Sequence, residues 1–278
     1  MKKVLFWILS FIITIFFALF QRLTGPTYPL SGNLMLDGEI PVSFRLTRSC
    51  TIAGQDCLIK IKAPVKIEGY VSWRRYKTDD AWTETEMNYR DGVLSALLPD
   101  QPPAGKLEYR AFIKQKKGDL ELYLAPVITR FKGAVPAAIL VPHVFFMFLF
   151  MLFSVRIIIT VFTMDTVIKH AVMFNILFLL LGGFILGPIT QFHAFGAYWT
   201  GWPFGHDLTD NKTLVMLLFW VAALYAVFRA EKFKPWLLAA FVVTALVYLV
   251  PHHARQRTGL FQIRQCIAIG HPPYAIGF

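Results

Sequence analysis

Behind Lys2 and Lys3 the chain runs from Val4 to Phe20, 17 residues, without a charged side chain. Such a run cannot be left in water, and at about 1.5 Å per residue it nearly matches the hydrocarbon thickness of a bilayer. Gln21-Arg22-Leu23-Thr24 follows without an Ala-x-Ala cleavage pattern, so residues 1–21 are expected to be an uncleaved anchor. Four more apolar stretches follow, at Val135–Phe162, Val172–Thr190, Thr213–Phe228 and Trp236–Val250. They predict a four-helix transmembrane domain over residues 135–252 and about five spans in all. The last two are near the short limit, so four spans with a half-inserted segment fit almost as well. Arg156 falls inside the first of the four and is expected to snorkel toward the interface.

Composition and charge sharpen this. The 278 residues are 56% hydrophobic and 16% charged, which excludes a disordered or wholly soluble chain. The net charge of +11 divides into +4 over residues 21–134 and +7 over the rest. The larger basic excess lies with the apolar spans, which argues against nucleic acid and for the lipid bilayer as partner. Lys2 and Lys3, then Arg156 and Lys169, then Arg229, Lys232 and Lys234 mark alternate span ends, whereas residues 191–212 hold only Lys212. By the positive-inside rule the N-terminus is cytoplasmic, and residues 21–134 and 191–212 are on the other side of a bacterial cytoplasmic membrane, periplasmic or extracellular. Arg255, Arg257 and Arg264 run against that assignment. The tail, residues 253–278, has no clear period.

Between Pro29 and Lys132 the period changes to two. Val42, Phe44 and Leu46 alternate with Ser43, Arg45 and Thr47, and Cys57, Ile59 and Ile61 alternate with Leu58, Lys60 and Lys62. Further alternating runs follow at Leu94–Leu98, Leu107–Ile113 and Leu120–Leu124, with turn signals at Asp91-Gly92, Pro102-Pro103 and Lys117-Gly118-Asp119. Roughly seven strands predict an all-β sandwich over residues 29–132, inserted in an α-helical membrane protein. Within it, Trp73-Arg74-Arg75-Tyr76, Trp82, Met87, Gly92, Leu98-Pro99 and Gly105-Lys106-Leu107-Glu108-Tyr109 resemble an immunoglobulin-like or fibronectin-type-III-like domain. The resemblance implies a core tryptophan and a tyrosine corner at Tyr109, and no particular function. Cys50 and Cys57, seven positions apart, do not match that family's inter-sheet bridge; their spacing suits a disulfide closing a hairpin loop. The role of Cys266 is not legible.

Six of the seven histidines fall on the expected outer side. His193 and His206 lie in the 191–212 loop, His252 and His253 follow the last span, His271 is in the tail, and His143 is on the order of 12 Å below the outer end of its span. Imidazole suits zinc, copper or haem iron. His143, His193, His206 and His252, with Trp199 and Trp202, are therefore candidate cofactor-binding residues; His193, His206, Asp207 and His252 are candidate metal ligands, with Asp207 and Asp210 able to orient imidazoles. The alternative is that the rings only hydrogen-bond headgroups or backbone and that the aromatics form an interfacial belt. The loop's aromatic and Gly/Pro content predicts an ordered structure, with Thr209-Asp210-Asn211 capping a helix near Thr213.

The segment Gly196-Ala197-Tyr198-Trp199 through Asp207 to Lys212 resembles the tryptophan-rich external segment of cytochrome c assembly proteins, which implies haem ligated by flanking histidines. Pro203-Phe204-Gly205-His206 interrupts the Trp-Trp-Asp core of that pattern. Asn175, inside the third span, is expected to bond a neighbouring helix, and Asp165 and Lys169 to form a surface pair. Phosphate loops, nucleophile elbows and strong metal signatures are not legible. The leading expectation is a non-enzymatic accessory or assembly subunit of a membrane complex; the alternative is an outer-face metal, haem or quinone protein.

Overall fold

The computed structural model describes residues 2–52, 57–116, 118–163, 169–229 and 232–249. The chain folds as two compact units, one of Met1–Gly25 with the helices that follow Ala134, the other of Pro26–Gly133. His252, His253, His271, Cys266, Asp165 and the tail 253–278 lie outside the described residues.

The helical unit contains five rods among the described residues: α1 (Lys2–Thr24), α2 (Ala137–Thr163), a composite third rod, α5 (Leu208–Arg229) and α6 (Lys234–Leu249). The third rod joins α3 (Lys169–Leu179), a π-helical turn (Leu180–Leu186) and α4 (Gly187–Phe195). Four of the five, α6 excepted, are long and apolar enough to cross a membrane. At 16 residues α6 covers the described part of the stretch expected of the fifth span but is among the shorter apolar helices. Hydroxyls carried in these helices bond their own backbone: Ser10 donates to the Phe6 carbonyl and Thr14 to that of Ser10.

α2 packs against α1, α3 and α6, and α5 against α3 and α6. The core between them is built from Phe150, Met151, Val155, Leu179, Trp220 and Ala240. Polar side chains in this core bond from helix to helix. Asn175 donates to Ser154 Oγ at 3.1 Å, as its position in the sequence predicts, and Trp220 Nε1 donates to Thr244 Oγ1 at 2.9 Å. The Tyr248 hydroxyl donates to the Met147 carbonyl at 3.3 Å. Arg156 departs from expectation: it is only 8% exposed and does not reach out of the unit. Its guanidinium lies over the rings of Trp7 (5.2 Å) and Phe6 (5.8 Å) on α1 and donates to Thr160, while Nε has no partner. Lys169 stands over the Phe228 ring at 5.1 Å.

The second unit is built from β1 (Leu30–Leu36), β2 (Ile40–Leu46), β3 (Ser49–Thr51), β4 (Leu58–Lys62), β5 (Gly69–Arg75), β6 (Thr83–Glu86), β7 (Asn88–Arg90), β8 (Val93–Leu97), β9 (Lys106–Ile113), β10 (Leu120–Glu121) and β11 (Val127–Lys132). One sheet has the order β1-β2-β4-β8-β7 and the other β3-β11-β9-β5-β6, with β10 on β9. Apolar residues of both sheets merge into one core; Ile59, Ile61 and Leu94 come from the first, Val71, Leu107 and Phe131 from the second. Strict alternation along β9 shows the period-two origin of this core. Asp91-Gly92 closes the β7–β8 hairpin with positive φ at both positions, 49° and 78°, as a two-residue turn of this hand requires.

The disulfide between Cys50 and Cys57 is present, but it does not close a hairpin. β3 pairs in parallel with β11 in one sheet, whereas Cys57 leads into β4 of the other, so the bridge ties the crossover between sheets. Tyr109, fully buried, donates its hydroxyl to the Thr47 carbonyl at 2.8 Å, 62 positions upstream. A tyrosine corner instead reaches only a few residues back. Burial pushes the Tyr109 phenol well above its usual pKa, so this donor keeps its proton at neutral pH. Trp73 packs partly buried against the core and bonds Thr85 Oγ1 at 3.1 Å.

Closing a loop of this size lowers unfolded-chain entropy by roughly 2.5 kcal/mol at room temperature. Replacing Cys50 and Cys57 by Ser is therefore expected to reduce the free energy of unfolding of the β unit by about that amount in urea titrations of the whole chain, an effect that reductant should reproduce in the native protein. Superimposable curves with and without reductant would contradict it.

Candidate functional site

The residues singled out in the sequence lie on α2, on the composite third rod and on the loop that leads into α5. The loop is shorter than the sequence implied, because Gln191–Phe195 continues α4. α4 ends at Gly196, whose left-handed φ of 79° is the usual helix C-terminal stop, with its N–H bonded to the Phe192 carbonyl. α5 begins at Leu208, five residues before the expected start, because its cap is Asp207. Asp207 Oδ1 accepts the N–H groups of Thr209 (2.8 Å) and Asp210 (3.2 Å), the donors a helix N-terminus leaves free.

Two of the three residues expected to cap the helix, Asp210 and Asn211, instead hold the loop. Asp210, 7% exposed, accepts the Thr200 N–H at 2.7 Å and the Gln191 side-chain amide at 3.3 Å. Asn211 Oδ1 accepts the Trp202 N–H at 2.6 Å. Between them Gly201 sits so close that a Cβ would lie 2.6 Å from the Asp210 Cβ and 2.9 Å from Asn211 Oδ1. A further bond, from the Asp207 N–H to the Thr200 carbonyl at 2.9 Å, completes a turn folded onto the first turn of α5. The Trp202–Pro203 peptide within it is cis.

This frame sets out the aromatics. Trp199 stacks on Phe184 of the π-helical turn at 5.6 Å and donates its indole N–H to the Trp202 carbonyl. Tyr198 stacks on Phe192 at 4.3 Å. Trp202 and Phe204 project from the turn, 66% and 84% exposed. The ordered loop predicted from composition is therefore a braced turn with two apolar side chains at its tip.

The described histidines do not gather into one site with it. His143, nearly two turns into α2, bonds through Nδ1 to the Gly182 carbonyl at 2.9 Å. Gly182 also accepts the Gly187 N–H, the long-range bond characteristic of the π-helical turn. His143 thus supplements a backbone acceptor where the helix is wound too wide. His193 is exposed, with its ring edge against Phe192, and His206 is exposed; His252 lies outside the described residues. Among the described residues no group of three or more His, Cys, Asp or Glu side chains stands close enough together to hold a metal ion. Asp207 and Asp210, the carboxylates that would orient such ligands, spend their oxygens on backbone and amide donors. Among the described residues, then, the expected ligands His193, His206 and Asp207 are not assembled into a metal centre.

Sequence reasoning missed the His143–Gly182 bond and the role of Asp210. The adjacent Gly182-Gly183 pair, a weak point in an otherwise apolar helix, was the available signal for the first. Neither a known protein-family profile nor a curated protein sequence matches this chain.

Removing the Asp210 carboxylate strands the Thr200 N–H and frees the loop. Asp210→Ala is expected to raise the rate of limited proteolysis between Gly196 and His206 about tenfold, equivalent to roughly 1.4 kcal/mol, with α5 retained by circular dichroism. Gly201→Ala should act in the same direction by steric means, and unchanged cleavage in both variants would show that these contacts do not hold the turn.

Proposed function

We propose that this chain is an integral membrane protein that carries an immunoglobulin-like β unit on the outer side of a bacterial cytoplasmic membrane and serves, without catalysis of its own, as an accessory or assembly subunit of a membrane complex. The observation that carries this reading is how the polar side chains of the helical unit are used. Ser154 and Asn175 bond each other, Trp220 bonds Thr244, Tyr248 bonds Met147 and His143 bonds Gly182. These groups join helices; they are not aimed at a ligand.

Three further features support it. Four helices have the length and composition of membrane spans, and α1 exposes a broad apolar surface that includes Val4, Leu5, Ile8, Phe11 and Ile12. Basic residues cluster at alternate helix ends, as the positive-inside rule requires of a cytoplasmic N-terminus. The Cys50–Cys57 disulfide belongs in an oxidising compartment, which suits an exported β unit. Two packed sheets, one antiparallel and one mixed, with a partly buried Trp73 suit the immunoglobulin-like reading, from which the long-range Tyr109–Thr47 bond departs. The aromatic tip of Trp202 and Phe204 fits an interfacial position, where such rings partition.

Purification of the native protein in mild detergent, combined with crosslinking in the membrane, is expected to recover stoichiometric membrane partners. Recovery as a solitary monomer with no crosslinked neighbour would contradict the subunit reading.

A further inference from the structure

The two sheets of the β unit treat charge differently on their outward faces. On the six-stranded sheet and its margin carboxylates stand among the cations and pair four of them: Arg74 with Glu108 at 2.6 Å, Arg110 with Glu121 at 3.3 Å, Lys114 with Glu86 at 2.7 Å and Arg75 with Asp80. On the five-stranded sheet Arg45, Lys60, Lys62 and Arg90 are all exposed, and no ion pair or side-chain hydrogen bond engages them among the described residues. The strands β1, β2, β4, β7 and β8 contain no Asp or Glu; the acids next to them in sequence, Asp37, Glu39 and Asp91, lie in turns.

Register brings the cations of the five-stranded sheet together. Arg45 stands directly opposite Lys60 across the β2–β4 ladder, an unfavourable like-charge pairing. Lys62 is two residues further along the same strand, and Arg90 is opposite Val93, which is opposite Lys62. Neighbouring cations are thus roughly 5 Å apart across the ladder and about 7 Å apart along it. Among the described residues nothing on this face neutralises them, so an external anion would relieve a repulsion already built into the fold.

The shape identifies the kind of anion. Two open concave stretches of about 500 and 490 Å³ share Asn33, Ser43 and Lys62, and so join into one trough across β1, β2 and β4. Neutral Ser31, Asn33 and Ser43 line it between the cations, with hydroxyls and an amide to donate. No outward position on these strands is aromatic, which separates this face from a surface that inserts into lipid headgroups. We infer that the trough binds a linear polyanion, a polymer carrying phosphate or carboxylate groups spaced every ~5–7 Å, with Arg45, Lys60 and Lys62 as its main contacts and Arg90 at the margin. The inference rests on the β unit alone and does not need the subunit reading.

The test uses the full chain in neutral detergent, with long-chain inorganic polyphosphate and polygalacturonate as probes, neutral dextran as control and phosphatidylglycerol vesicles as the lipid arm. Binding to at least one polyanion is expected, with an affinity that falls linearly in log salt. Lys60→Gln with Lys62→Gln should weaken it roughly tenfold or more and flatten the salt slope by about 0.7 per lost cation, whereas Arg75→Gln with Lys114→Gln, the same loss of charge from paired positions, should leave it within about twofold. Bound polyphosphate should also shield Lys60 and Lys62, but not Lys114, from an amine-reactive label on the native protein. The inference is overturned by no polyanion binding, by equal weakening in the two double variants, by binding to the vesicles alone, or by labelling of Lys60 and Lys62 that the polymer does not change.

Discussion

A polar side chain placed among apolar helices must find its partner there, and in this chain that requirement organises the helical unit around α2. Ser154 meets Asn175 of α3, the Met147 carbonyl takes the hydroxyl of Tyr248 on α6, and His143 reaches the Gly182 carbonyl in the π-helical turn. Each bond fixes the rotation of a neighbouring helix about its own axis, which apolar packing alone leaves loosely specified. Arg156 follows the same logic with aromatic faces in place of oxygen acceptors, since Trp7 and Phe6 bring α1 onto α2.

The β unit meets a different constraint, the closure of two sheets over one core. The Cys50–Cys57 bridge spans the point where the chain leaves one sheet for the other, and Tyr109 reaches from the second sheet to the backbone after β2. Interior demands are therefore met on both sides of the core. The outward faces are free to differ, and they do: one is laced with cation–carboxylate pairs and the other holds cations without them.

What was legible in the sequence follows from what each signal measures. Apolar run length measures membrane thickness; the run at Val4–Phe20 is found inside α1, and α2 covers the run at Val135–Phe162 except its first two residues. Alternation measures burial, and the β region emerges as two sheets. Histidine sidedness, by contrast, speaks only to depth along a helix. Whether two rings converge depends on helix rotation, and His143 turns to a backbone carbonyl while His193 and His206 stay exposed. The start of α5 lies earlier than expected because Thr209, Asp210 and Asn211 are all good caps by residue type, and only tertiary contact with Thr200 and Trp202 assigns Asp210 and Asn211 elsewhere. The opposition of Arg45 and Lys60 needs strand register, which period-two patterning does not supply.

The arrangement proposed here, a helical unit in the bilayer with the β unit outside, is tested most directly by protease and thiol-reagent access to sealed, right-side-out cells. Single cysteines placed in a background in which Cys266 is replaced and the native disulfide retained, one at exposed Ser31 in the β unit and one at Lys232 between α5 and α6, report the two sides. Labelling of the first by an impermeant reagent in intact cells, with labelling of the second only after permeabilisation, is the expected result. The reverse pattern, or equal access to both positions in intact cells, would contradict it.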